Sequence, residues 1–158
     1  MVVVLAIVVI LSTMALYSYV QYRRSLALES SARLVQQMLM VGRARAITTA
    51  LPQDVVISLD ADTFWVDAWD ATRTTPRRQV VPETATAENV VIESVTIGGS
   101  TFTTGLQSIP FEPDGSNPLV IVDLRRDFDD PLLNSSYFSV QLLPTSSEAQ
   151  IRRNDRFP

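Results

Sequence analysis

The chain has 158 residues, no Cys, no His and no Lys, and a formal charge of −4. Disulfides, zinc or haem sites built on Cys or His, and His-based acid–base chemistry are therefore excluded. Charge is divided unevenly: residues 1–50 carry five Arg against Glu29, and residues 51–158 carry eight Arg against sixteen acids, so the larger part is a poor general nucleic-acid binder.

Residues 1–20 contain no charge, proline or glycine. About 20 apolar residues at about 1.5 Å each can cross a bilayer core, whereas a signal peptide stops soon after a shorter apolar core. The helical pattern continues past Arg23 and Arg24, which divides the chain into a membrane-spanning helix (1–22), an amphipathic continuation of the same rod (23–50) and a β-rich head (51–158). In the second part Leu28, Ala32, Val35 and Leu39, with Leu34, Met38 and Val41 beside them, recur at three- and four-residue intervals. Arg24, Arg33, Gln36, Gln37 and Arg43 are expected on the opposite side. Gly42 costs some helix stability but is isolated, and Leu51-Pro52 closes the helix.

Beyond Pro52 the period falls to two. Val55, Ile57 and Leu59 alternate with Val56, Ser58 and Asp60, and a turn at Asp60-Ala61-Asp62 leads to Thr63–Trp69, which predicts a hairpin. Residues 71–82, rich in Thr, Arg and Pro, read as a loop. Further strands are predicted at Val90–Ile97, Thr101–Thr104 after a Gly98-Gly99-Ser100 turn, Ser108–Phe111, Leu119–Leu124, Tyr137–Leu143 and Ala149–Arg152. One long helix followed by short antiparallel strands predicts an α+β lollipop, the second half of the helix laid across a small sheet.

These residues resemble a known family. The run Met1–Leu11 is similar to the interior of the type IV pilin N-terminal segment. Ala44-Arg45-Ala46-Ile47, Pro52 and Val55–Leu59 resemble the helix end and first strand of GspH/FimT-type minor pseudopilins. Phe111, Pro113 and Gly115 resemble that subgroup's turn motif, and Tyr137–Leu143 its penultimate strand. The resemblance implies a structural, non-enzymatic subunit of a type II secretion pseudopilus or type IV pilus, without cofactor or metal. It implies assembly through Val4, Leu5, Ile7, Val8, Leu11 and Leu16. The implied partners are other major and minor pseudopilins, an inner-membrane assembly platform, a secreted substrate and, given a leader, prepilin peptidase. The implied location is the bacterial inner membrane, single-pass with a periplasmic head, before incorporation into the fibre. Arg23 and Arg24 alone would place the head in the cytoplasm by the positive-inside rule; a basic leader reverses that. Since Met1 falls inside the family's segment, the leader, the cleavage site and the glutamate that registers subunits are expected in an in-frame upstream extension.

Several constellations carry alternatives. Arg152, Arg153 and Arg156 would serve a DNA-uptake pilin, although the family's Gly-Arg-x-Arg tail is not matched; salt-sensitive binding in a gel shift discriminates. Arg77-Arg78 reads as a solvated surface. Asp123, Asp127, Asp129 and Asp130 gather carboxylates that suit calcium, but without EF-hand spacing they read as an acidic connection. Asp60 and Asp62 fit a turn better than paired catalytic acids. Trp65 and Trp69 fall on one strand face as an exposed aromatic patch, for which covering loops are the alternative. A plain signal anchor and a tethered enzyme complete the list of other readings; the enzyme would require a deep polar pocket.

Overall fold

A computed structural model describes residues 2–70, 72, 78–127, 137–144 and 148–153; within the first helix, side chains are described for 12–14 and from 26 onward. Helix α1 (Val2–Thr49) is continuous, as the unbroken helical pattern predicts. In its last turn Thr48 Oγ1 donates back to the Ala44 carbonyl at 2.8 Å and Thr49 Oγ1 to that of Arg45 at 2.7 Å. Ala50 then adopts φ 52°, the left-handed conformation that commonly ends a helix, and Pro52 follows.

Among the described residues the head contains nine strands, β1 (Gln53–Ser58), β2 (Thr63–Ala68), β3 (Arg78–Ala85), β4 (Val90–Ile97), β5 (Ser100–Phe102), β6 (Leu106–Phe111), β7 (Val120–Arg126), β8 (Tyr137–Leu142) and β9 (Ala149–Arg153). They form two antiparallel sheets rather than the single sheet expected, in the orders β3-β2-β1-β6 and β5-β4-β7-β8-β9. The division arises because β4 leaves its sequence neighbour β3 and pairs with the distant β7, placing Val95 opposite Val122. Local alternation carries no information about such a pairing.

The β1–β2 hairpin has the expected register, with Val55 opposite Val66 and Ile57 opposite Phe64. The predicted loop over 71–82 is corrected at its end, where β3 begins at Arg78. Pro82 sits inside this strand, which is tolerated because β3 is an outer strand and its pairing with β2 is irregular between Phe64 and Val66.

One core joins the helix to both sheets. Leu28, Ala32, Val35, Leu39 and Ala46 of α1 pack with Val55, Ile57, Phe64 and Phe111 of the first sheet and Val95, Val122, Leu124, Val140 and Leu142 of the second. The helix face therefore differs in part from the predicted stripe. Leu34 and Val41 turn to solvent, while Gln36 and Arg43, expected on the outside, are half-buried. A rod that is apolar on two sides cannot reveal by periodicity alone which side meets the head.

Candidate functional site

The helix and the head come into close contact at Gly42. A Cβ placed there would stand 2.5 Å from Val55 Cγ2 and 3.5 Å from the ring of Phe111, both side chains being buried. The glycine that reads in sequence as a weak point of the helix is thus a contact point, where absence of a side chain admits Val55. One turn further on, Gly115 lies under Ile47 and Arg43: a Cβ there would approach Ile47 Cδ1 to 2.8 Å and Arg43 Nε to 3.4 Å.

The Phe111, Pro113 and Gly115 motif is accounted for by this seam. Phe111 ends β6 fully buried, and Glu112 to Gly115 form a turn in which Gly115 N donates to the Glu112 carbonyl at 2.8 Å. Pro113 occupies the turn position whose φ proline favours, and Gly115 takes φ 81°, open to glycine at little cost. Asp114 Oδ1 accepts from Ser116 N at 2.8 Å. Hydrogen bonds from the Ser116 side chain and backbone hold the Asp114 carboxyl below the usual carboxylate range.

The opposite side of α1 is exposed and partly apolar. Leu26, Leu34 and Val41 are 45%, 38% and 40% exposed, so a substantial fraction of each side chain is left uncovered by the head. Glu29 and Arg33 form an ion pair of 2.8 Å on the same half of the rod, the spacing of one helical turn. Sequence periodicity had grouped Leu34 and Val41 with the head-facing stripe. The signal that would have separated them is that each immediately precedes a head-facing position, Val35 or Gly42, and is therefore turned about 100° away from it around the helix.

Val4, Leu5, Ile7, Val8, Leu11 and Leu16 belong to α1, but their side chains lie outside the described residues. Among the described residues no helix is long and apolar enough to cross a membrane. Met14 is 65% exposed, which leaves this stretch of rod without cover from the head.

The remaining constellations resolve into structural bonds. The Asp60 carboxylate accepts from Gly105 N at 3.2 Å, and Asp62 Oδ1 from Ile92 N at 2.7 Å. The two acids thus tie the β1–β2 turn to other parts of the head instead of facing a common substrate. Burial raises the Asp62 pKa against the lowering effect of the Ile92 hydrogen bond. Its neutral form is accordingly favoured by folding, a contribution complete below the unfolded pKa and lost as pH rises through the folded one. Asp62→Asn keeps the acceptor and suits φ 53°. It is expected to stabilise the protein at pH 7 by an amount that shrinks on acidification, measured as urea midpoints across pH; a gain that grows at low pH would contradict this.

Asp123 accepts from Ser94 at 2.9 Å and from Ser139, each on a neighbouring strand. Asp127 is exposed, while Asp129 and Asp130 lie outside the described residues. Among the described residues no group of three or more His, Cys, Asp or Glu side chains is placed to hold a metal ion. Arg152 and Arg153 are exposed at the end of β9, Arg78 begins β3, and Arg77 and Arg156 lie outside the described residues. Trp65 and Trp69 form no exposed patch: both are half-buried, Trp65 stands opposite Val56, and Trp69 N donates to the Pro52 carbonyl at 3.0 Å.

The sequence matches no protein-family model and no curated protein. The structure does match solved ones. The minor pseudopilin EpsH from the Type 2 Secretion System of Vibrio cholerae superposes with a TM-score of 0.65 at 12% identity, covering 84% of this chain and 99% of that one. A second EpsH structure gives 0.62 at 12% identity over 82% and 97%. The type IV minor pilin FimU of Pseudomonas aeruginosa gives 0.56 at 9% identity over 83% and 92%. The fold is that of a minor pseudopilin. Within this pseudopilin fold, a long N-terminal helix packed on antiparallel sheets fulfils the α+β expectation, and the match spans almost the whole length of each relative. At 9–12% identity, it is the arrangement of helix and sheets that is shared.

Proposed function

We propose that the protein is a minor pseudopilin of the GspH/FimT kind, a structural subunit that enters a type II secretion pseudopilus or a type IV pilus through its N-terminal rod. The observation that carries this reading is the two-sided helix. One side of the helix over residues 26–46 is sealed into the head core, and the other presents Leu26, Leu34 and Val41 to solvent. A helix keeps apolar residues on a free face when a partner covers them. Neighbouring rods of pilin-like subunits are such partners, and the EpsH and FimU likenesses supply the setting.

In this reading the apolar run 1–22 holds the subunit in the inner membrane, with the head in the periplasm, until an assembly platform moves it into the fibre. Val4, Leu5, Ile7, Val8, Leu11 and Leu16 then pack in the fibre core, and prepilin peptidase acts on an upstream leader. The small residues Ala6, Ser12, Thr13, Ala15 and Ser18 permit close helix approach. The head is displayed outside, toward other minor subunits or secreted cargo. No chemistry is assigned to it, since Asp60, Asp62 and Asp123 are engaged in bonds that join strands and turns.

The test charges the free face of the rod. Leu34→Glu with Val41→Glu is expected to leave the head's thermal unfolding within a few degrees of wild type, because both side chains are outside the core. The variant is expected to disappear from sheared fibres of the native host while remaining in the cell envelope. Undiminished incorporation of the variant would refute the role assigned to this face.

A further inference from the structure

The free face of α1 ends in a charge without a counterpart. Arg45 stands one turn beyond Val41 on the same side of the helix and is half-buried. Its Nε is shielded from solvent and has no hydrogen-bond acceptor, and among the described residues no carboxylate pairs with its guanidinium. A shielded cation left in this way is costly unless an acid from outside reaches its remaining nitrogens.

A second rod has no such acid to give. Glu29 is the sole acid of residues 1–50 and is already bound to Arg33, so the carboxylate must come from a head. One head acid is fixed against the helix at a definite level. Ala87 N donates to Ser31 Oγ at 2.9 Å, and Val90 N closes a tight turn onto the Ala87 carbonyl at 3.1 Å, with Asn89 at φ 66°. Glu88 lies in this turn, exposed and without an ion-pair partner among the described residues. Asp127, whose N donates to the Asn89 carbonyl at 3.0 Å, adds an exposed acid beside it. Ser31, which marks the level of this acidic turn, lies about 21 Å before Arg45 along the helix.

We propose that Arg45 binds the Glu88 turn of a second copy of this chain, whose parallel rod is displaced by about 21 Å toward the C-terminal end of the first helix. This contact rests on the fibre reading above, in which rods run parallel. The displacement agrees with the apolar surface: residues 12–27 of the raised copy run beside residues 26–41 of the lower one, the stretch that bears Leu26, Leu34 and Val41. Met14 of the raised copy, exposed on the bare part of the rod, falls within that length. Apolar packing of two rods tolerates sliding, whereas an ion pair forms at one position, so Arg45 and Glu88 set the axial register. The two surfaces in contact are different ones, and the contact therefore repeats from copy to copy instead of closing a pair.

The chain has no Cys, so introduced thiols report on this contact alone. Ala44→Cys and Asp127→Cys, both at exposed positions beside the pair, are placed in separate full-length copies with different tags. The copies are produced together in the native host and treated with a short bis-maleimide before fibres are sheared. A dimer carrying both tags is expected in the fibre fraction, and a dimer of either variant with itself is not. Arg45→Glu alone is expected to lower the amount of the chain in fibres by about tenfold, and Glu88→Arg added to the same chain to restore it, a rescue that a misfolded variant cannot show. With wild type present in fibres, absence of the mixed dimer, normal incorporation of Arg45→Glu or failure of the double swap to restore it would overturn this contact and leave the subunit role standing. Absence of wild type from fibres would overturn both.

Discussion

Replacing Phe111 by Ala is expected to lower unfolding stability by about 3–5 kcal/mol, the range for removing a fully buried aromatic side chain. Phe111 is 0% exposed at the end of β6, and its ring stands 3.5 Å from where a Gly42 side chain would begin. The void would open where α1, β1 and β6 converge, and the rigid turn over Glu112–Gly115 limits how far the chain can collapse into it. For a protein of this length, such a loss shifts the melting temperature by roughly 10 °C. Urea unfolding of wild type and variant measures it directly. A loss under about 1 kcal/mol would mean that the site relaxes and that the seam contributes little.

The second large effect comes from Gly42→Leu. Glycine in a helix interior is intrinsically unfavourable by about 1 kcal/mol relative to Ala, so propensity alone predicts that a larger residue stabilises α1. Packing predicts the reverse, since even a Cβ would stand 2.5 Å from Val55 Cγ2, and Val55 is 1% exposed. Overpacking of this kind costs about 1–3 kcal/mol or more, which outweighs propensity. Gly42→Leu is therefore expected to destabilise by about 3 kcal/mol. Combining Gly42→Ala with Val55→Ala is expected to recover much of what each loses alone, a coupling that a double-mutant cycle reads as non-additivity. Additive losses would show that the two residues do not share the contact.

Much of the fold is legible in the sequence because its strands alternate clearly and its turns carry strong local signals. The β1–β2 hairpin, the Gly98-Gly99 turn with φ of 59° and 91°, and strands β4 to β9 follow from that chemistry. What escapes is non-local. The split into two sheets depends on β4 choosing β7, and β3 is hidden because Pro82 argues against a strand until the strand is known to lie at an edge. At the site, the Phe111, Pro113 and Gly115 motif is visible through family resemblance, but its purpose requires the helix to be placed above it. The free face of α1 is missed because Leu34 and Val41 are as apolar as the residues that face the head.

The embedding of α1 also bears on how the fold would answer a pull along its helix. Residues 28–46 lie along both sheets, while the covalent passage from helix to head is the short link through Ala50 and Leu51. A pull on the rod therefore loads many side-chain contacts at once, in shear along the helix, before it reaches that link. Gly42 seated against Val55 and Gly115 beneath Ile47 act as detents against sliding. The head resists extraction of its helix as an interlocked joint does, so mechanical failure requires the core to open and not merely the connection to stretch.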